Sequence, residues 1–207
     1  MKYIFLHGLG QVHSDWSDMI EGLDNEMDIL CPNLSEWLSG KKASYFNLYH
    51  AMETYCEQQK EPIHLSGLSL GGILALHYTL EHPEKVASLV LMGTQYTMPK
   101  RMLRFQNMIF YLMPDKTFWK MGFGKKDFIS LTKSMMDLNF KKDLPKINCK
   151  VLILCGEKDK VNKSASIELE QQISNAEFKI VPHAGHEINK ENPVELAKII
   201  NRFYSGL

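Results

Sequence analysis

With 207 residues, 44% of them hydrophobic and 23% charged, the chain is long enough for one domain with a sizeable core and too short for two of ordinary size. Its 24 basic and 24 acidic residues cancel. That balance gives no reason to expect nucleic acid as a partner, or long-range steering of a charged substrate.

In chain order, the first apolar run is residues 3–6, rich in β-formers and halted by His7-Gly8. It is too brief for the apolar core of an export signal. No uninterrupted apolar run approaches the roughly 18 residues that cross a bilayer. A cytoplasmic protein without stable membrane insertion is therefore expected. Further strands are expected at 28–31, 63–65, 86–92, 151–155 and 178–181, each bounded by Gly, Pro or Asn. Helical spacing is found over 43–59, 70–81, 164–173 and 193–203. Asn162 or Ser164 serves as N-cap of the third helix, and Asn192, followed by Pro193, as that of the fourth. Strands alternating with helices predict an α/β fold, a mostly parallel sheet with helices on both faces. Cys31, Cys56, Cys149 and Cys155 show neither C-x-x-C spacing nor a His-bearing metal pattern. Reduced thiols are expected, and nothing calls for a metal or a cofactor.

One stretch breaks the alternation. Residues 97–145 hold no convincing strand, and their content includes Met, Phe, Trp, Lys and Arg; Met98, Met102, Met108, Met113, Met121, Met135 and Met136 are seven of the chain's 12 methionines. Amphipathic helices are expected at 101–113 and 127–138. They are either ordinary packing helices with Met as gap-filler, or a helical cap over an apolar pocket, the reading favoured by their place late in the sheet. Lys100, Arg101 and Arg104 read as the solvated face of the first. Binding a substrate carboxylate or touching a membrane surface are the alternatives.

The sharpest local signal is Gly67-Leu68-Ser69-Leu70-Gly71, a G-x-S-x-G with a strand before it and a buried helix after. A strand that turns at once into a helix holds its serine in a strained conformation, and the flanking glycines leave room for that passage. The serine backbone then sits at a helix N-terminus, which favours developing negative charge.

These residues resemble the α/β-hydrolase superfamily. His7-Gly8-Leu9-Gly10, straight after the first strand, is similar to the family's His-Gly loop, and Trp16 fits the pattern that follows it. Pro182-His183-Ala184-Gly185-His186 resembles the Gly-His loop after the last strand, and Gly156-Glu157-Lys158-Asp159 the Gly-x-x-Asp turn. The resemblance implies Ser69 as nucleophile, His186 as base, Asp159 as the acid that orients it, and the amides of Leu9 and Leu70 as the oxyanion hole. His183 and Glu157 are the rivals for base and acid, and the loop Gly93-Thr94-Gln95 offers no carboxylate. Because the His-Gly loop begins at residue 7, a trimmed sheet of six parallel strands in the order 2-1-3-4-5-6 is expected over a single domain, 1–207. The first sheet edge then needs protection or forms a contact, such as a dimer's.

The implied activity is hydrolysis of a carboxylic ester, a small molecule with an apolar acyl or alcohol portion, through an acyl-enzyme. A thioesterase, a lactonase, a C–C bond hydrolase or a non-catalytic ligand-binding module on the same fold are the alternatives. Dehalogenase and epoxide hydrolase chemistry needs a carboxylate at the turn, where this chain has Ser69.

Overall fold

In strand after strand, apolar side chains point both ways, so both faces of the sheet must be covered. The computed structural model describes residues 1–118 and 121–207. In chain order its elements are β1 (Lys2–Leu6), α1 (Ser17–Ile20), β2 (Asp28–Leu30), α2 (Tyr45–Glu57), β3 (Ile63–Leu68), α3 (Leu70–Glu81) and β4 (Val86–Met92). There follow α4 (Lys100–Leu112), α5 (Lys125–Ser134), β5 (Lys150–Gly156), α6 (Lys163–Gln172), β6 (Ala176–Val181), α7 (Ile188–Glu191) and α8 (Pro193–Tyr204). The six strands are parallel and run in the order β2-β1-β3-β4-β5-β6, the expected sheet.

The two-residue period of a strand sorts the core into two layers. Ile4 and Leu6 of β1, Leu89 and Leu91 of β4, and Val151 and Ile153 of β5 pack with Leu48 of α2, Leu74 of α3 and Leu169 of α6. Their neighbours Phe5, Val90, Met92, Leu152 and Leu154 face Trp16, Met19 of α1, and Leu196 and Ile200 of α8. Two helices are capped by their own sequence: Ser44 accepts from the Asn47 amide at α2, and Asn192 from the Glu195 amide at α8. The four cysteines are free, and burial pushes the Cys56 thiol up to about 12. The edge strand β2 is only three residues long, and a short edge offers little backbone for pairing with another chain.

The structure departs from the sequence expectation in instructive places. Strand β3 runs on to Leu68, with Gly67 opposite Leu91 and Leu6 opposite Gly67, whereas 63–65 was expected. A glycine there looks like a strand end, yet it is a place where another backbone passes. Helix α5 ends at Ser134 rather than 138, because the chain turns through residues 135–137 and only then extends: the Met98 amide donates to the Leu138 carbonyl, and Thr97 pairs antiparallel with Asn139. That bridge draws together the two ends of the β4–β5 connection, where no extended pairing was expected. Trp119 and Lys120, within this connection, lie outside the described residues.

Helix α3 meets the sheet backbone to backbone. A Cβ on Gly71 would stand 2.2 Å from the Leu6 carbonyl oxygen, and one on Gly67 would stand 2.3 Å from the Gly71 carbonyl carbon. Gly71→Ala must therefore push α3 off β1, and it is expected to cost about 3 kcal/mol or more. Urea denaturation measures this; a midpoint equal to that of the unsubstituted protein would show that the contact is not needed.

Candidate active site

Ser69 is the hinge between β3 and α3. Its backbone has φ 52° and ψ −111°, one of two non-glycine residues with positive φ among the described residues. Such strain costs on the order of 1–3 kcal/mol and persists only where the surroundings enforce it. Here the Ser69 amide donates to the Met92 carbonyl at 2.8 Å, and its carbonyl accepts from Ile73 to start the helix. Leu70 is the first residue of α3, so its amide is among those a helix cannot satisfy internally. The Leu9 amide makes no backbone hydrogen bond among the described residues. His7 shapes the loop that carries it. Its Nδ1–H donates to the Gly8 carbonyl (2.9 Å) while Nε2 accepts from the Leu34 amide (3.0 Å), and burial lowers its pKa, in keeping with a neutral ring.

Asp159 and His186 meet between the ends of β5 and β6. His186 Nδ1–H donates to Asp159 Oδ2 at 2.8 Å, which leaves Nε2 with a lone pair. Asn162, expected as a helix cap, stands at the start of α6 but does not cap it. Its side-chain amide donates to both oxygens of Asp159 (3.0 and 2.8 Å) and touches His186 Nδ1 at 3.1 Å, while its backbone N–H donates to Oδ1. Burial pushes the Asp159 carboxyl up, but the hydrogen bonds from His186 and Asn162 outweigh it and hold the group below the usual carboxylate value. Gly93 (φ 52°) passes beneath the pair: a Cβ there would lie 3.0 Å from the imidazole.

The two loops are tied together by groups that the sequence reading did not single out. Gln11 and Asn189, both buried, exchange side-chain amide hydrogen bonds, and Gln11 Oε1 also accepts from the Gly8 amide. Glu191 accepts from the amides of Gly185 and Glu187, on either side of His186. The rivals stand elsewhere. Glu157 and His183 are exposed and bonded to each other through the His183 amide.

Ser69, Leu9, Leu70, Asp159 and His186 all line one cavity of about 540 Å³. No hydrogen bond joins Ser69 to His186 among the described residues; such contacts are often long before substrate binds. The rest of the wall is mostly apolar and comes from the β4–β5 connection, including Met98, Met102, Phe110, Met121, Phe128 and Met135. Arg101 and Arg104 are exposed and line no part of it. Its charged groups among the described residues are Asp159, Glu187 and, when protonated, His186.

A family model described as the alpha/beta hydrolase fold matches residues 4–123, more than half of the chain, and the chain belongs to that family. It is 22% identical to the monoacylglycerol lipase ABHD6 of Bos taurus, over 99% of this chain and 75% of that protein. It is 23% identical to a Bacillus subtilis protein assigned as a 2-succinyl-6-hydroxy-2,4-cyclohexadiene-1-carboxylate synthase, over 99% of this chain and 90% of that one. An esterase from Thermogutta terrifontis has the same fold, with a TM-score of 0.83 at 19% identity, covering 100% of this chain and 90% of the other. MenH from S. aureus also reaches 0.83, at 16% identity, covering 100% and 94%.

The depressed Asp159 carboxyl makes stability depend on pH. Its folded value lies below the unfolded value of about 3.9, so its contribution is full above the unfolded value and is lost as pH falls through the folded one. Asn162→Ala removes donors to that charge and is expected to cost about 1.5–3 kcal/mol at neutral pH. The loss should shrink as acid protonates Asp159. Urea titrations across the acid range check it; a loss independent of pH would show that the amide does not act on the carboxylate.

Proposed function

We propose that this chain is a serine hydrolase that cleaves carboxylic esters with an apolar acyl or alcohol portion. The observation that carries the reading is a serine on a strained strand-to-helix turn, opening onto the same apolar cavity as a hydrogen-bonded Asp159–His186 pair. In this mechanism His186 Nε2 takes the Ser69 proton as Oγ attacks the ester carbonyl carbon. The carbonyl oxygen becomes an oxyanion held by the amides of Leu9 and Leu70. Asp159 keeps the imidazole in the right tautomer and stabilises the imidazolium. When the tetrahedral intermediate collapses, His186 gives its proton to the departing alcohol. Water, deprotonated by the same His186, then releases the acid and restores Ser69.

The wall of the cavity supports a neutral substrate. It holds neither Lys nor Arg among the described residues, so a compound with two carboxylates, such as the Bacillus subtilis relative's name implies, would find no Lys or Arg there. An ester with a hydrocarbon arm meets methionine and phenylalanine instead. The relatives named as lipase and esterase point the same way.

A series of p-nitrophenyl esters tests this. For the unsubstituted protein, kcat/KM should rise about threefold per added methylene until the cavity is filled. Ser69→Ala should lower it by at least about 10³-fold. A fluorophosphonate probe should label Ser69 in the folded protein. Full activity in Ser69→Ala would overturn the assignment, and the lack of any adduct would favour a binding module.

A further inference from the structure

Helix α4 carries six of the 12 large apolar side chains that stand exposed among the described residues: Met102, Phe105, Met108, Ile109, Tyr111 and Leu112, the last 82% exposed. Met102, Phe105, Ile109 and Leu112 recur at i, i+3, i+7 and i+10, which makes one stripe along the helix, and Met108 widens it. The opposite face is fixed: Leu103 and Asn107 are buried, and Asn107 accepts a hydrogen bond from Thr132 of α5. The stripe is thus the outward side of a packed helix. It also borders the active-site opening, because Met102, Phe105 and Ile109 line the cavity from their other side.

Charge is the second observation. Between residues 97 and 145 there are ten Lys and Arg against four Asp, a surplus of six positive charges in a chain whose net charge is zero. The remainder of the chain is negative by the same amount. Arg101 and Arg104 are exposed beside the stripe, and Lys116 is exposed just beyond the end of α4. A lone apolar face says little about its partner, but an apolar stripe set among cations matches a surface that is both apolar and anionic.

We propose that this face of α4 docks the protein on an anionic lipid surface, with the stripe in the boundary between headgroups and acyl chains. Arg101, Arg104 and Lys116 would then meet lipid phosphates, and the cavity mouth would open toward the bilayer. The attachment is peripheral: no described helix is long and apolar enough to cross a membrane. A helix of 13 residues lying in the interface, with cations at its flank, has the properties such docking requires. A second copy of the chain fits this face less well, since pairing would press two cationic surfaces together. The docking is separate from catalysis and is read out equally well in Ser69→Ala.

The test is flotation of the full chain with vesicles of phosphatidylcholine alone, and of phosphatidylcholine containing one part in four of phosphatidylglycerol. The protein should float with the anionic vesicles at about 0.1 M salt, and release at about 1 M, where the screening length is about 3 Å. Arg101→Glu with Arg104→Glu should weaken binding by roughly fivefold or more per cation removed. Met108→Asp with Leu112→Asp, two positions that do not line the cavity, should weaken it by about tenfold or more. Circular dichroism, thermal melting and hydrolysis of a short soluble ester should be unchanged in that variant. Failure to float, equal binding to neutral vesicles, or variants that bind like the parent would overturn the proposal. So would light scattering that shows a dimer dissociated by Met108→Asp with Leu112→Asp, since the face would then be a contact between copies.

Discussion

The close approach of α3 to the ends of β1 and β3 is the constraint on which the rest of the site depends. Gly67 and Gly71 have no room for a side chain, because strand and helix backbones meet there. Once the chain must leave β3 and enter α3 within one residue, Ser69 has to accept φ 52°. The strain is held by the Ser69–Met92 hydrogen bond and by the burial of α3, nine of whose 12 residues are buried. The same geometry leaves the Leu70 amide without an intrahelical partner at the helix start and sets the β1–α1 loop close to Ser69, a Cβ on Gly8 standing 3.7 Å from the Ser69 Cβ. Serine, helix terminus and loop are consequences of one contact.

The second half of the site is held differently. The Asp159–His186 pair hangs between loops, and its place relative to Ser69 follows from a chain of polar contacts. Gln11 and Asn189 join the loop after β1 to helix α7, which follows the His186 loop, across 178 residues of sequence. Glu191 clasps the amides around His186, and Asn162 braces the carboxylate. Buried amide pairs of this kind are strongly directional, and leaving one partner unpaired is costly, so the network has few alternative arrangements.

This contrast explains what could be read from the sequence. The strand-to-helix turn at Ser69 and the two loops were legible because their signals are local: a strand, a glycine, the singled-out residue and another glycine within a few positions. Strand order followed from the family resemblance, trimmed because the His-Gly loop begins at residue 7, and the strand centres from apolar runs. Asn162, Gln11, Asn189 and Glu191 were missed, or in the case of Asn162 given another role. Their partners are fixed by tertiary structure, and no local pattern separates an asparagine that caps a helix from one that braces a carboxylate. Gly93 sits in a loop that offers no carboxylate, and its importance is the side chain it lacks. In α4 the periodicity was visible, but which side faced outward was not. Lys100, Arg101 and Arg104 read as its solvated face, and Met102, Phe105 and Leu112 are exposed there as well.

Helix α4 therefore has two apolar sides with different partners. Inward, it helps to form a wall of Met98, Met102, Met121 and Met135, side chains with several rotatable bonds that can follow the shape of a substrate. Phe110 and Phe128 of the same wall pack edge to face with each other and with the buried Phe118, centroids 5.1–5.9 Å apart, and stiffen it. The floor of the cavity is the opposite case, backbone and hydrogen-bonded loop with little freedom. Ser69 and the Asp159–His186 pair thus belong to the rigid part of the fold, and the apolar wall to the adaptable part. Outward, the apolar stripe has no counterpart within the described chain. A monomer in water keeps such a stripe only at a cost in solubility, and its position at the rim of the cavity gives that cost a purpose. Whatever covers the stripe also faces the route to Ser69.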